Sequence, residues 1–223
     1  TEVLSLESPF DYSSRTMLYV PDQFKGRPFP QPDQEEFSHM IPEVIYRILV
    51  ASSGRALVLF TSFSSMRKTH PFLVDRLPYP VFIQGQAPRP SLLESFRRQT
   101  DSVLLAVASF WEGINVPGES LSCVIIDKLP FEVPSDPVIM ARINKIRQDG
   151  GNPFMEFQLP RAILALRQGI GRLMRTSTDK GLLAILDVRL FNKKYGRLFL
   201  KSLPPSPLTR DITDVESFFA KNK

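Results

Sequence analysis

Ala56-Leu57-Val58-Leu59-Phe60 runs directly into Thr61-Ser62-Phe63-Ser64-Ser65. Five consecutive apolar residues read as a strand buried on both faces, which is the habit of parallel sheets. The small hydroxyl residues behind it read as a turn into a helix. This strand, turn and helix unit is the α/β pattern, and the flanking sequence repeats it. Downstream the spacing predicts a helix over 65–76, a strand over 80–84, a helix over 91–99 and a strand over 102–107. A loop over 110–118, a strand over 122–127 and a helix over 137–147 follow. The remainder reads as a helix over 160–174, a strand over 181–187, a helix over 192–200, a proline-rich break over 203–207 and a last helix over 214–221.

Upstream, residues 1–32 are rich in proline and aromatic residues, with a short strand at 16–20 in an otherwise extended segment. A helical pattern starts at Asp33, a suitable N-cap with Glu36 three residues on. Pro42 is expected to interrupt or restart it. The Ile45, Ile48 and Leu49 stripe then runs to a stop at Ser53-Gly54. Strands alternating with helices predict an α/β fold, a mostly parallel sheet with helices on both faces. The expected organisation is one domain over 33–203, a packed extended segment over 1–32 and a C-terminal extension over 204–223.

The chain has 223 residues, of which 43% are hydrophobic, enough for a substantial core. Its 28 Lys and Arg against 23 Asp and Glu give a net charge of +5. That balance suits a phosphate or nucleic-acid partner without demanding one. A single cysteine, Cys123, lies in the apolar run of 122–126, so this chain alone can form neither a disulfide nor a cysteine-ligated metal cluster. It reads as a small core residue. No apolar run approaches the roughly 18 residues of a membrane span, and no signal-peptide pattern opens the chain. The start at Thr1, without an initiator Met, sets the expectation of a fragment of something longer.

The chemistry centres on Gln168-Gly169-Ile170-Gly171-Arg172-Leu173-Met174-Arg175. On a helix, Gln168, Arg172 and Arg175 share one face with Arg161, while Ile163, Leu166, Ile170, Leu173 and Met174 share the other. Each glycine inside a helix costs about 1 kcal/mol relative to alanine, so a close approach should require them. Arginine forks held on one face suit phosphate. The alternative is a solvated helix face with local carboxylate partners. There is no G-x-x-x-x-G-K-[ST] loop, no dinucleotide turn after a strand and no nucleophile elbow. His39 and His70 stand alone. Ligands of open α/β sheets gather at the C-terminal ends of strands, which here carry Thr61 to Ser64, Gln84-Gly85, Ser109 to Gly118, Lys128, and Asp187 to Arg189.

Together these stretches resemble the motifs of superfamily 2 helicases, specifically the second, RecA-like lobe of the DinG/XPD family. Ser8 to Tyr12 with Met17 to Pro21 looks like the start of that lobe. Ala56 to Ser64 looks like motif IV, Ser109 to Gly118 like motif V, and Lys128 to Phe131 like the loop after the next strand. Gln168 to Arg175 looks like motif VI, and Lys194 to Arg197 with Phe199 fits the end region. The motifs span essentially the whole chain in the family's order.

The resemblance implies a RecA-like fold and one half of an ATP-dependent DNA helicase moving 5′ to 3′ on single-stranded DNA. ATP and Mg2+ would be held mainly by a first lobe that this chain does not contain, as would any iron–sulfur cluster. Arg172 and Arg175 match the arginine-finger positions. Gln168, Glu112, Gly113 and Asn115 would serve nucleotide binding, although the family usually has Asp where Asn115 stands, and Asn115 also suits a plain turn. Thr61, Ser62, Ser64, Gln84, Ser109 and Phe110 would line the DNA groove. Ser64 alternatively caps the following helix. Phe63, Phe110 and Trp111 have the faces to stack on bases, with burial under the sheet favoured for Phe63 and a core or interface place for Trp111. Asp187 and Arg189 would form a pair, either supporting motif VI or as a plain salt bridge. The partners implied are single-stranded DNA and the first lobe, with no membrane, in a bacterial cytoplasm and a role in DNA repair. The rival reading is a non-catalytic module that holds nucleic acid or a partner on a helicase-like fold.

Overall fold

A computed structural model describes residues 11–107, 110, 121–132, 136–170 and 180–221. The opening run forms strand β4 (Ala56–Phe60), buried along its whole length. It lies inside a seven-stranded sheet ordered β5-β6-β4-β7-β8-β1-β9, third from one edge. The other strands are β5 (Val81–Ile83), β6 (Val103–Val107), β7 (Cys123–Ile126), β8 (Gly181–Ile185), β1 (Thr16–Tyr19) and β9 (Leu208–Thr209). Every pairing in this sheet is parallel. The segments 1–32 and 204–223 thus contribute β1 and β9 to it. A small antiparallel hairpin, β2 (Gln23–Phe24) and β3 (Arg27–Pro28), stands apart. Its two turn residues, Lys25 and Gly26, both have positive φ, 51° and 74°, as a tight hairpin turn requires.

Alternation along the strands divides the core into two layers. Ala56, Val58, Phe60, Val103, Leu105, Cys123 and Ile125 face helices α2 (Glu35–Ser52), α3 (Phe63–Val74) and α9 (Ile212–Ala220). Leu57, Leu59, Leu104, Ala106, Val124 and Ile126 face α4 (Arg89–Arg98), α6 (Leu159–Ile170) and α8 (Gly196–Ser202). Burying a side chain of this size contributes about 1.5–3 kcal/mol, so the two layers account for helices on both faces. Cys123 is fully buried in the first layer, the core place expected for it, and burial raises its thiol pKa. No helix among the described residues is long and apolar enough to cross a membrane.

Several boundaries differ from the expectation. The long helix α2 starts at Glu35 with Gln34 as its cap, not Asp33; the Gln34 side chain instead accepts the Gln31 amide proton at 2.6 Å. Pro42 does not interrupt α2. Phe37, Ile41, Val44, Ile45, Ile48 and Leu49 form a buried stripe on both sides of it, and their packing outweighs the roughly 3 kcal/mol that an interior proline costs. The stop at Ser53-Gly54 is as expected, both residues having left-handed φ, 56° and 70°. The predicted helix over 192–200 is two pieces, α7 (Arg189–Asn192) and α8. Helix α5 (Pro137–Gln148) matches the expectation, capped by Asp136. A π-helical turn, Phe154–Gln158, leads into α6; nothing in the periodicity indicated it. The four-residue α1 (Tyr12–Arg15) precedes β1.

Candidate nucleotide and nucleic-acid interface

The strand ends carry polar groups as the sequence suggested, but with different tasks. Ser62, not Ser64, caps α3: its hydroxyl accepts the Ser65 amide proton at 3.1 Å. Ser62 and Ser64 are both exposed and Thr61 is half-buried. Phe63, expected under the sheet, is 46% exposed, because the first turn of α3 projects it beyond the end of β4. The Arg67 guanidinium lies 5.8 Å from its ring.

Thr61 is held from behind. Asp127, directly after β7, accepts the Thr61 amide proton on Oδ1 at 2.8 Å. The Thr61 hydroxyl reaches its other oxygen at 3.5 Å. Asp127 is fully buried, and burial pushes its carboxyl up to about 7 against the opposing pull of the Thr61 and Lys128 backbone amides. No motif in the sequence marks this residue. Its only signal was an acid standing at the end of an apolar strand.

One strand over, Asp187 does the same for the next loop. Its Oδ2 accepts the Leu129 amide proton at 2.8 Å, and Oδ1 accepts that of Arg189 at 3.0 Å. The Arg189 side chain grips both oxygens, with Nη2 at 2.6 Å and Nε at 2.9 Å. The expected Asp187–Arg189 pair therefore exists, around a carboxylate with no exposure. The Arg189 guanidinium also lies 5.6 Å from the Phe131 ring, which packs with Phe154, Tyr195 and Phe199.

Two residues assigned to the DNA groove make local structural contacts. The Gln84 side chain accepts the Val107 amide proton at 2.9 Å, tying the ends of β5 and β6 together. Phe110 is only 4% exposed, with the Arg89 guanidinium 5.0 Å from its ring. Buried in the second core layer, that ring does not present a face for a base, a correction to its stacking role. Three exposed or half-buried cations also have local partners: Arg98 with Glu94, Lys145 with Asp149, and Lys128 over the Phe37 ring at 5.0 Å.

Helix α6 bears out the amphipathic reading as far as Ile170. Leu166, Gly169 and Ile170 are buried, Ile163 is half-buried, and Arg161 and Gln168 are exposed. Arg161 forms a two-point pair with Glu132, at 2.9 and 2.6 Å. Glu132 follows β7, so the start of α6 lies at the C-terminal edge of the sheet. Its far end lies at the other edge, where Arg167 and Ile170 line a pocket with Tyr12 and Ser202 to Pro205. Gln168 and the Thr61 to Ser64 loop are therefore not brought together. Arg172, Arg175, Ser109, Trp111, Glu112, Gly113 and Asn115 lie outside the described residues.

Residues 45–206 match the family model described as the helicase C-terminal domain. The chain belongs to that family. It is 43% identical over 96% of its length to the ATP-dependent DNA helicase YoaA of Haemophilus influenzae, covering 32% of that protein. It is 36% identical, again over 96% of its length, to the ATP-dependent helicase DinG of Mycobacterium tuberculosis, covering 32% of it. The 3'-5' exonuclease DinG of Bacillus subtilis is also 36% identical, with 23% of its length covered. The chain thus spans about a third or less of these relatives. Among solved structures, an XPD helicase superposes with a TM-score of 0.63 at 19% identity, over 87% of this chain and 36% of that one. The C-terminal domain of the DEAD-box protein Dbp5 superposes at 0.54 and 14% identity, over 94% of this chain and 98% of that one. At such identities the likeness concerns the fold, which is RecA-like. The resemblance to the second lobe of the DinG/XPD helicases holds.

Proposed function

We propose that this chain is the second motor lobe of an ATP-dependent DNA helicase, closing on ATP and Mg2+ held mainly by a first lobe. The observation carrying the reading is the 43% identity, across nearly the whole chain, to a protein named as an ATP-dependent DNA helicase. The sequence has no phosphate-cradling loop, so the principal nucleotide contacts belong elsewhere. Arg172 and Arg175 offset charge on the γ-phosphate when the lobes close, a contribution of about 10³–10⁵ in rate in related NTPases. Gln168, exposed on α6, bonds near the nucleotide or links the lobes, and Glu112, Gly113 and Asn115 also serve nucleotide binding. Mg2+, held by the first lobe, would supply charge neutralisation to the phosphates. This chain's single thiol is fully buried, so its donor set does not fit an iron–sulfur cluster; any cluster lies in another part of the protein.

Thr61, Ser62, Ser64 and Ser109 line one side of the single-stranded DNA groove. Their backbone and hydroxyl groups hold phosphates, and exposed Phe63 is available to a base. Because α6 runs from one sheet edge to the other, Gln168 and this loop face different edges, which suits a motor that separates its nucleotide from its track. Translocation is 5′ to 3′. The direct experiment compares the isolated chain with the full-length protein. The chain alone should show no ATP turnover above background, and the full-length protein should hydrolyse ATP in a DNA-dependent way. Turnover by the isolated lobe would overturn the reading.

A further inference from the structure

The β4, β7 and β8 strands are neighbours, and their loops are fastened in series. The last ladder bond between β4 and β7 is the Asp127 amide donating to the Leu59 carbonyl at 3.1 Å. Beyond it the two chains part, and the Thr61 N–H would be left without a partner. Asp127 replaces the missing bond with its side chain. Asp187 repeats the device, reaching from the end of β8 to the Leu129 amide in the loop after β7. Both carboxylates are wholly buried. An acid in such a place is costly unless it is hydrogen-bonded. Here each acid spends its acceptors on a neighbouring loop's main chain.

We propose that Asp127 is a positioning residue for single-stranded DNA, fixing the height of Thr61 so that Thr61 to Ser64 meets the DNA backbone, with Asp187 bracing the adjoining loop. This rests on the reading of that loop as part of the DNA groove. The claim concerns the acceptor oxygen facing the Thr61 amide. A neutral amide of the same shape supplies that oxygen equally well, whereas a methyl group does not. Lys128 is the charged neighbour whose own amide also leans on Asp127; its side chain is directed to Phe37.

The test uses the full-length protein with Asp127→Asn and Asp127→Ala, measuring ATP turnover across a titration of oligothymidine. Asp127→Ala should raise the half-saturating DNA concentration about five- to tenfold, with turnover at saturating DNA and the KM for ATP within about twofold. Asp127→Asn should restore half-saturation to within about twofold of the parent. Thermal melting of each variant corrects for the folded fraction. If turnover falls in step with folded protein while half-saturation stays unchanged, Asp127 is a structural brace only and the proposal fails. It fails equally if the Asn variant is as weak as the Ala variant. The underlying reading is tested apart, by Ser64→Asp. An unchanged half-saturation there removes the loop from the DNA groove, whereas a rise there with none in Asp127→Ala removes only the positioning role.

Discussion

Arg189 closes on Asp187 through two nitrogens, at 2.6 and 2.9 Å, and the carboxylate it holds has no solvent exposure. Removing one partner of a buried pair leaves an uncompensated charge, at a cost of about 3–5 kcal/mol. Arg189→Ala should therefore destabilise the lobe by roughly 3 kcal/mol in urea unfolding. Arg189→Lys should recover only part of that, because an ammonium lacks the planar fork. Equal stability of Arg189→Ala and the parent would mean that the two backbone amides satisfy Asp187 alone.

Asp127 makes stability depend on pH in an unusual direction. Its carboxyl is pushed up to about 7 by burial, above its ordinary value near 3.8. Between these values the native state holds a proton that the unfolded chain releases. The native state therefore gains from acidification: its advantage is complete below the unfolded pKa and is lost as pH rises through about 7. From pH 5.5 to 7.5, stability should fall by up to about 1.4 kcal/mol per pH unit, and Asp127→Asn should lack this component. Parallel profiles for parent and variant would refute the assignment.

Ser64 offers a substitution whose effects on folding and binding should diverge. It is exposed in the first turn of α3, where a negative charge favours the helix by about 0.3–1 kcal/mol. Ser64→Asp should leave melting unchanged or slightly raised, while weakening oligothymidine binding at least about tenfold by repelling phosphate. Anisotropy titration of the full-length protein measures this.

Gly196 has no room for a side chain. A Cβ there would stand 2.1 Å from the Leu190 carbonyl oxygen, where α7 turns back on α8. Gly196→Ala should cost about 1–3 kcal/mol through overpacking, seen as a lower urea midpoint with an unchanged slope.

How far the sequence disclosed these features depended on the range of the cause. The β4 strand was legible because five apolar residues in succession leave few alternatives. The stop at Ser53-Gly54 was legible because its cause is local. The α3 cap was misplaced because Ser62 and Ser64 are both hydroxyls and one turn decides between them. Phe63 was misplaced because, at a helix end, whether an aromatic residue is covered depends on how far the preceding strand extends. The Pro42 break failed because tertiary burial along α2 overrode a local preference. The task of Asp127 was invisible for a plainer reason. Its partner Thr61 lies 66 residues away, and no spacing rule connects them. Gln84 and Phe110 were assigned to the DNA groove from their places at strand ends; no spacing rule disclosed that the Gln84 side-chain carbonyl also bonds Val107 or that the Phe110 ring packs in the core.

The role proposed for this lobe is to complete an ATP site whose main part lies elsewhere. Arg175→Ala in the full-length protein, assayed for ATP affinity and for DNA-stimulated hydrolysis, tests it most directly. ATP binding should be nearly unchanged, with hydrolysis reduced by at least about 10³-fold. Unimpaired DNA-stimulated turnover would contradict it.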